Sequence, residues 1–264
     1  MTRLGEIPAR SCASYLELAD RHAPGLVEGL YLQGSVALGD FTPGASDIDF
    51  VAVVAEPFDP APLRAVHAEL KARHPKPHFD GLYVTWDDLR EDPERSPAGV
   101  SVHEWRVRES SRFERHLVTW HVLAQGGVAV RGPEVETLGV HTDWAALAEG
   151  TRANLATYWT RWLERSSRPA TWMGMAALSD YQTTWGVLGV TRLHHTLASG
   201  RVTSKTAAGA YALAAFGERW HRIVREAVRI RTGGPALYRS PFRRRADMLA
   251  YMSMVLNTRP MVRE

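Results

Sequence analysis

The hydrophobic pattern of this 264-residue chain changes period partway along, and that change restricts it to a two-part architecture. The first part mixes periods. A helical pattern from Ala13 to Ala23 precedes a strand pattern from Gly29 to Gln33, a turn-rich stretch from Gly34 to Ser46, and a second strand pattern from Ile48 to Val54. A helix is then expected from Pro60 to Arg73, opened by Asp59-Pro60, where Asp can cap and Pro fits an early helical position. After the break at Pro75 to Pro77, Gly81 to Trp86 reads as a third strand. From Arg112 onward only helical patterns remain: Arg112 to Ala124, Trp144 to Leu163, Thr171 to Leu197, Ser204 to Phe216, Arg219 to Ile230 and Arg243 to Leu256. Asp92-Pro93 and Ser96-Pro97-Ala98-Gly99 interrupt regular structure, so the join is expected between Trp86 and Ser111. The expected class is α+β: a mixed domain over residues 1–105 followed by a helical bundle over residues 106–264.

Composition excludes several alternatives. With 45% hydrophobic and 23% charged residues, the chain can bury a core and is neither disordered nor low-complexity. Cys12 is the single cysteine, which fits a reducing compartment. No apolar run reaches the roughly 20 residues that a membrane helix needs, and Met1 to Arg10 lacks the apolar core of a secretory signal. A cytoplasmic monomer with no membrane partner is expected. Of the 32 basic residues three are lysines, Lys71, Lys76 and Lys205, and 29 are arginines spread along the chain. Such scatter argues against a nucleic-acid partner, and Arg243-Arg244-Arg245 reads as a solvated helix face.

One segment carries chemistry. The first strand runs into Gly34-Ser35, and eleven residues later Ser46-Asp47-Ile48-Asp49 opens the next apolar strand. Alternation along a strand puts Asp47 and Asp49 on one face. Two carboxylates so close repel unless a cation lies between them, and magnesium favours a few carboxylate oxygens together with substrate phosphates. Gly34 permits close approach of a phosphate to the backbone, and Ser35 offers an N–H and a hydroxyl. Cys-x-x-Cys, His-Glu-x-x-His, Walker-type and Gly-x-Ser-x-Gly patterns are absent, and the adjacent His194 and His195 point in different directions on a helix.

Gly-Ser followed by Asp-x-Asp on the next strand resembles the signature of the nucleotidyltransferase superfamily related to DNA polymerase β. Two further blocks narrow the resemblance. Arg192 to Ala208, with Ser199-Gly200-Arg201 and Ser204-Lys205, looks like the helix, turn and helix start of the streptomycin/spectinomycin 3''-adenylyltransferases, and His103-Glu104-Trp105-Arg106 is similar to their Glu-Trp element. The resemblance covers most of the chain. It implies a polymerase β-like nucleotidyltransferase domain and a helical acceptor domain, with AMP passing from ATP to a hydroxyl group beside two magnesium ions.

By the same resemblance Asp47 and Asp49 are metal ligands, while Gly34, Ser35 and Ser46 belong to the nucleotide loop. Asp80 is the third carboxylate, as base or metal ligand, where antibiotic-modifying members carry Glu; Asp87 and Asp88 are alternatives for it. Arg192 and Lys205 are implied phosphate contacts, Lys205 lying in a helix start that favours anions. On the acceptor side the resemblance assigns Trp105 to an aromatic wall, Glu104 to a source of negative charge, and Gln182 and Trp185 to positions where relatives carry acidic and histidine residues. Asp180 is a nearby carboxylate. The implied acceptor is an aminoglycoside or aminocyclitol antibiotic. A nucleoside antibiotic, a protein side chain as in toxin–antitoxin pairs, and nucleotide binding without catalysis are the alternatives.

Overall fold

The structure is a computed structural model that describes residues 4–54 and 59–258; the first three residues of the opening segment lie outside the described residues. It divides into two compact units, 1–143 and 144–264. In the first, α1 (Glu6–His22), β1 (Val27–Leu32), α2 (Gly34–Ala37), β2 (Ile48–Val54), α3 (Ala61–Arg73), β3 (Phe79–Val84) and α4 (Trp86–Arg90) are followed by β4 (Gly99–His103), β5 (Arg106–Ser111), α5 (Leu117–Gly126) and β6 (Val128–Arg131). The six strands form one sheet in the order β5-β4-β3-β2-β1-β6, in which only β2 and β3 run parallel.

Strand alternation sorts the side chains of this sheet onto two faces. Ile48, Phe50, Ala52, Phe79 and Tyr83 pack with Tyr15 and Leu18 of α1 and with Leu63, Val66 and Leu70 of α3. On the other face Val51, Val53, Leu82 and Val84 pack with Trp120 and Leu123 of α5. Asp47 and Asp49 share the parity of Val51 and Val53, and Asp80 that of Leu82. The polar group therefore continues the second face past the end of its apolar patch.

The strands β4, β5 and β6 lie beyond the three expected from the sequence, and the domain join differs too. β5 is a polar edge strand bearing Arg106, Arg108 and Glu109, residues that keep an edge from pairing with other chains but remove the hydrophobic alternation that reveals a strand. β6 has four residues, too few to show a period. Because both strands belong to the sheet, the first unit continues to Asp143, and a boundary between residues 105 and 106 would cut the β4–β5 hairpin at its turn. α5 begins at Leu117, behind His116 as cap, so the helix expected from Arg112 starts five residues later.

The second unit is helical: α6 (Trp144–Asn154), α7 (Thr160–Ser167), α8 (Trp172–Ala176), α9 (Asp180–Ser199), α10 (Lys205–Ala215), α11 (His221–Thr232) and α12 (Pro241–Asn257). A π-turn over Leu155–Trp159 joins α6 to α7. The helix expected over Thr171 to Leu197 is split, because the Ser179 hydroxyl accepts from Gln182 N and starts α9 afresh. Of Arg243 to Arg245, expected as a solvated face, Arg243 is exposed, Arg245 half-buried and Arg244 buried. Arg244 is buried and reaches Glu226, Asp180 and the Leu178 carbonyl, while Arg245 Nη2 donates to the Ser166 carbonyl at 2.5 Å. Fully buried Glu226 also accepts from Arg229 Nε at 2.9 Å and from Leu237 N at 3.0 Å. Its pairings hold the carboxyl below its ordinary range although burial acts the other way.

Two predictions concern stability. Glu226→Ala leaves Arg244 buried without that partner and should cost about 3–5 kcal/mol in urea unfolding. Burial pushes the His67 imidazole down to about 3 while its Nε2 lies 2.8 Å from the Tyr83 hydroxyl. The unfolded chain takes up a proton near pH 6.5 that the folded chain refuses, so this contribution is complete above that pH and is lost as pH falls. Between pH 7 and pH 5 the wild type should lose about 2 kcal/mol more than His67→Phe, compared by denaturant titration at each pH.

Candidate active site

The parallel register of β2 and β3 pairs Asp49 with Asp80. One step before the ladder Asp47 lies beside His78: the His78 backbone N–H donates to Asp47 Oδ1 at 3.2 Å, and His78 Nδ1 is 3.5 Å from the same oxygen. Asp47, His78 and Asp80 each offer a ligand atom, and these atoms all lie within 4.8 Å of one another. A carboxylate–imidazole–carboxylate set of this size can hold a divalent cation. The sequence reading did not find His78. The signal available was parity, since His78 stands two residues before Asp80, but only the β2–β3 register brings it to Asp47.

The Gly-Ser loop closes over the same acids. Gly34 has φ +58°, and a Cβ placed on it would lie 2.0 Å from Asp49 Oδ2. Any other residue would have to displace Asp49 and adopt a conformation that L-residues avoid. Gln33 N donates to the Asp49 carbonyl at 2.9 Å, and Ser35 Oγ lies 3.5 Å from the Asp47 carbonyl. Ser46 is buried and its Oγ accepts from Thr42 N at 3.1 Å, which shapes the turn leading to Asp47.

Asp80 is buried, and burial pushes its carboxyl up to about 6 against the opposing pull of the Glu104 N–H and the His103 charge; Asp47 adds a further push upward. Its Oδ1 accepts from Glu104 N at 2.9 Å. Glu104 and Trp105 form the two-residue turn of the β4–β5 hairpin, with φ +49° and +66°. Both positive values are those of a type I′ turn, for which Asn-Gly is the favoured sequence, so Glu-Trp is held there at a cost of about 1–3 kcal/mol per residue. The bond to Asp80 offsets part of that cost and fixes the hairpin tip to the acid. Trp105 meets the His78 ring edge-on at 6.0 Å, and its Nε1 is buried with no hydrogen-bond partner among the described residues. The Glu104 side chain is exposed. Asp87 and Asp88 serve α4: Asp87 pairs with Arg90, and Asp88 completes a capping box with Thr85.

In the second unit Arg192 Nε donates to the Thr203 carbonyl at 2.8 Å, bracing the turn in which the Ser204 hydroxyl caps α10 ahead of Lys205. Lys205 Nζ stands 5.8 Å from the centre of the Trp185 ring. Gln182 and Trp185 line one cavity together, whereas Asp180 is paired with Arg244 and does not line it.

Two family models match the chain: a nucleotidyltransferase domain over residues 15–117 and the aminoglycoside adenylyltransferase C-terminal domain over residues 166–253. The chain thus carries a nucleotidyltransferase domain followed by an aminoglycoside adenylyltransferase C-terminal domain. Among solved structures, spectinomycin adenyltransferase AAD(9) from Enterococcus faecialis with ATP and spectinomycin is similar in fold, with a TM-score of 0.67 over 94% of this chain and 99% of that one, at 12% identity. No curated protein matches the sequence. Among the described residues no helix is long and apolar enough to cross a membrane.

Gly34→Ala should lower stability by about 2 kcal/mol, read by urea unfolding, since it strains the loop against Asp49. His78→Ala should weaken Mn2+ binding about tenfold in titration calorimetry, because one nitrogen ligand is lost from the set.

Proposed function

We propose that the chain is a magnesium-dependent O-adenylyltransferase that moves AMP from ATP to a hydroxyl group of a small molecule. The observation that carries this reading is the cluster of Asp47, His78 and Asp80 within 4.8 Å of one another, with Asp49 paired to Asp80 in the sheet and lying against Gly34. Magnesium bound by these carboxylates would neutralise charge on the phosphate oxygens. The backbone freedom of Gly34 and the donors of Ser35 suit them to hold the triphosphate, and Arg192 and Lys205 supply cationic groups for the phosphates. The acceptor oxygen attacks the α-phosphorus, the bond to the β-phosphate breaks, and pyrophosphate leaves. Asp80 Oδ1 is committed to the Glu104 N–H, which leaves Oδ2 to take the hydroxyl proton or to ligate the metal. ATP as donor is also supported by its presence with AAD(9).

The aminoglycoside or aminocyclitol antibiotics are the first acceptor class, on the strength of the family. A second class, acceptors that are not polycations, is favoured by the engagement of Asp180 with Arg244 and by the uncharged side chains Gln182 and Trp185. Pyrophosphate release from ATP with a panel of antibiotics tests the activity. Asp47→Asn and Asp49→Asn should each lower it about a thousandfold in folded protein, the loss of several kcal/mol of charge stabilisation. Turnover that survives either substitution would refute the mechanism.

A further inference from the structure

The second unit contains a cavity of about 510 Å³ walled by the π-turn, α7, α8 and the first turns of α9. Its aromatic side is preformed. Tyr181 lies nearly parallel to Trp185, 11° apart with centroids at 6.2 Å, and Trp185 Nε1 donates to the Tyr158 hydroxyl at 3.2 Å. Tyr181 is 68% exposed and Tyr158 44%, large apolar areas left in water at a concave surface. The π-turn, a rare element that recurs at functional sites, carries Tyr158 into the wall.

Three other polar side chains of the cavity have groups left for a ligand. Gln182 Oε1 is buried and accepts no hydrogen bond from the described residues. Arg161 and Arg165 are one turn apart on α7, both line the cavity, and neither guanidinium has an ion pair among the described residues. Among the described residues no Asp or Glu lines it. Like charges at this spacing repel, and a carboxylate or phosphate can accept from guanidinium groups in bidentate fashion. A polycation here would meet unpaired arginines and no compensating acid.

We infer that this cavity receives the acceptor, and that the acceptor combines a flat ring with an anionic carboxylate or phosphate group. The ring lies against Tyr181 and Trp185, an N–H or O–H of the ligand donates to Gln182 Oε1, and Arg161 and Arg165 hold the anion. Naming the ligand an acceptor rests on the adenylyl-transfer reading; the ligand class rests on the cavity alone.

Calorimetric titration of the full chain tests it with uridine 5'-monophosphate and 4-nitrophenyl phosphate as anionic planar probes, uridine as neutral probe and streptomycin as polycation. The titrations are run with and without saturating magnesium and α,β-methylene-ATP, which cannot transfer its adenylyl group. At least one anionic probe should bind, uridine at least tenfold more weakly than its monophosphate, and streptomycin more weakly than either anion. Arg161→Gln and the double variant with Arg165→Gln, both at exposed positions, should weaken anion binding about tenfold or more while uridine binding is unchanged. Tyr181→Ala should weaken both. No binding by either anion, tighter binding of streptomycin, anion affinity unchanged in the double variant, or displacement of the anion by the ATP analogue would each overturn the inference. Pyrophosphate release is measured separately, so its absence alongside intact anion binding removes the transfer reading and leaves the ligand class standing.

Discussion

The parallel pairing of β2 and β3 is the constraint on which the first unit depends. Parallel neighbours in register carry residues of equal parity on the same face, so the pairing that buries Val51 and Val53 beside Leu82 and Val84 also sets Asp49 beside Asp80. Slipping the register by one residue would send those aliphatic side chains to the wrong face and separate the acids. The hydrophobic core thus enforces an arrangement that electrostatics alone would oppose. It does so most firmly at Asp80, where burial holds the carboxyl up at about 6.

Around those acids the chain accepts backbone conformations that most residues avoid. Gly34 stands at positive φ, and Asp49 occupies the space a side chain would need. Glu104 and Trp105 stand there although neither is glycine, and the Glu104 N–H bonded to Asp80 helps to hold them. Loop, hairpin and acids are coupled: Gly34 and Glu104 each touch a carboxylate of the set, and Trp105 completes the turn against His78. Strain gathered at one place in this way marks a site rather than a turn chosen for stability.

In the second unit the decisive charges are internal. Arg244 gathers Asp180, Glu226 and the Leu178 carbonyl, tying the start of α9 to α11 and α12. The same contact uses the carboxylate that could otherwise have served a cationic ligand. The cavity beside it is left with arginines, aromatic rings and one unpartnered amide oxygen.

The α+β class, the three leading strands and the helical character of the second half are legible in hydrophobic period alone, since burial on one face writes itself into the spacing of apolar residues. Gly34, Ser35, Asp47 and Asp49 are legible too, because a short loop between adjacent strands keeps interacting residues close in sequence. β5 and β6 were not, one for its polar edge and the other for its brevity. His78 beside Asp47, the Glu104 contact with Asp80 and the engagement of Asp180 by Arg244, 64 positions away, were decided only in the tertiary structure. Their physical reason is common: each depends on register or packing between distant segments, and the charge that a residue offers a ligand is what remains after its own fold has claimed it.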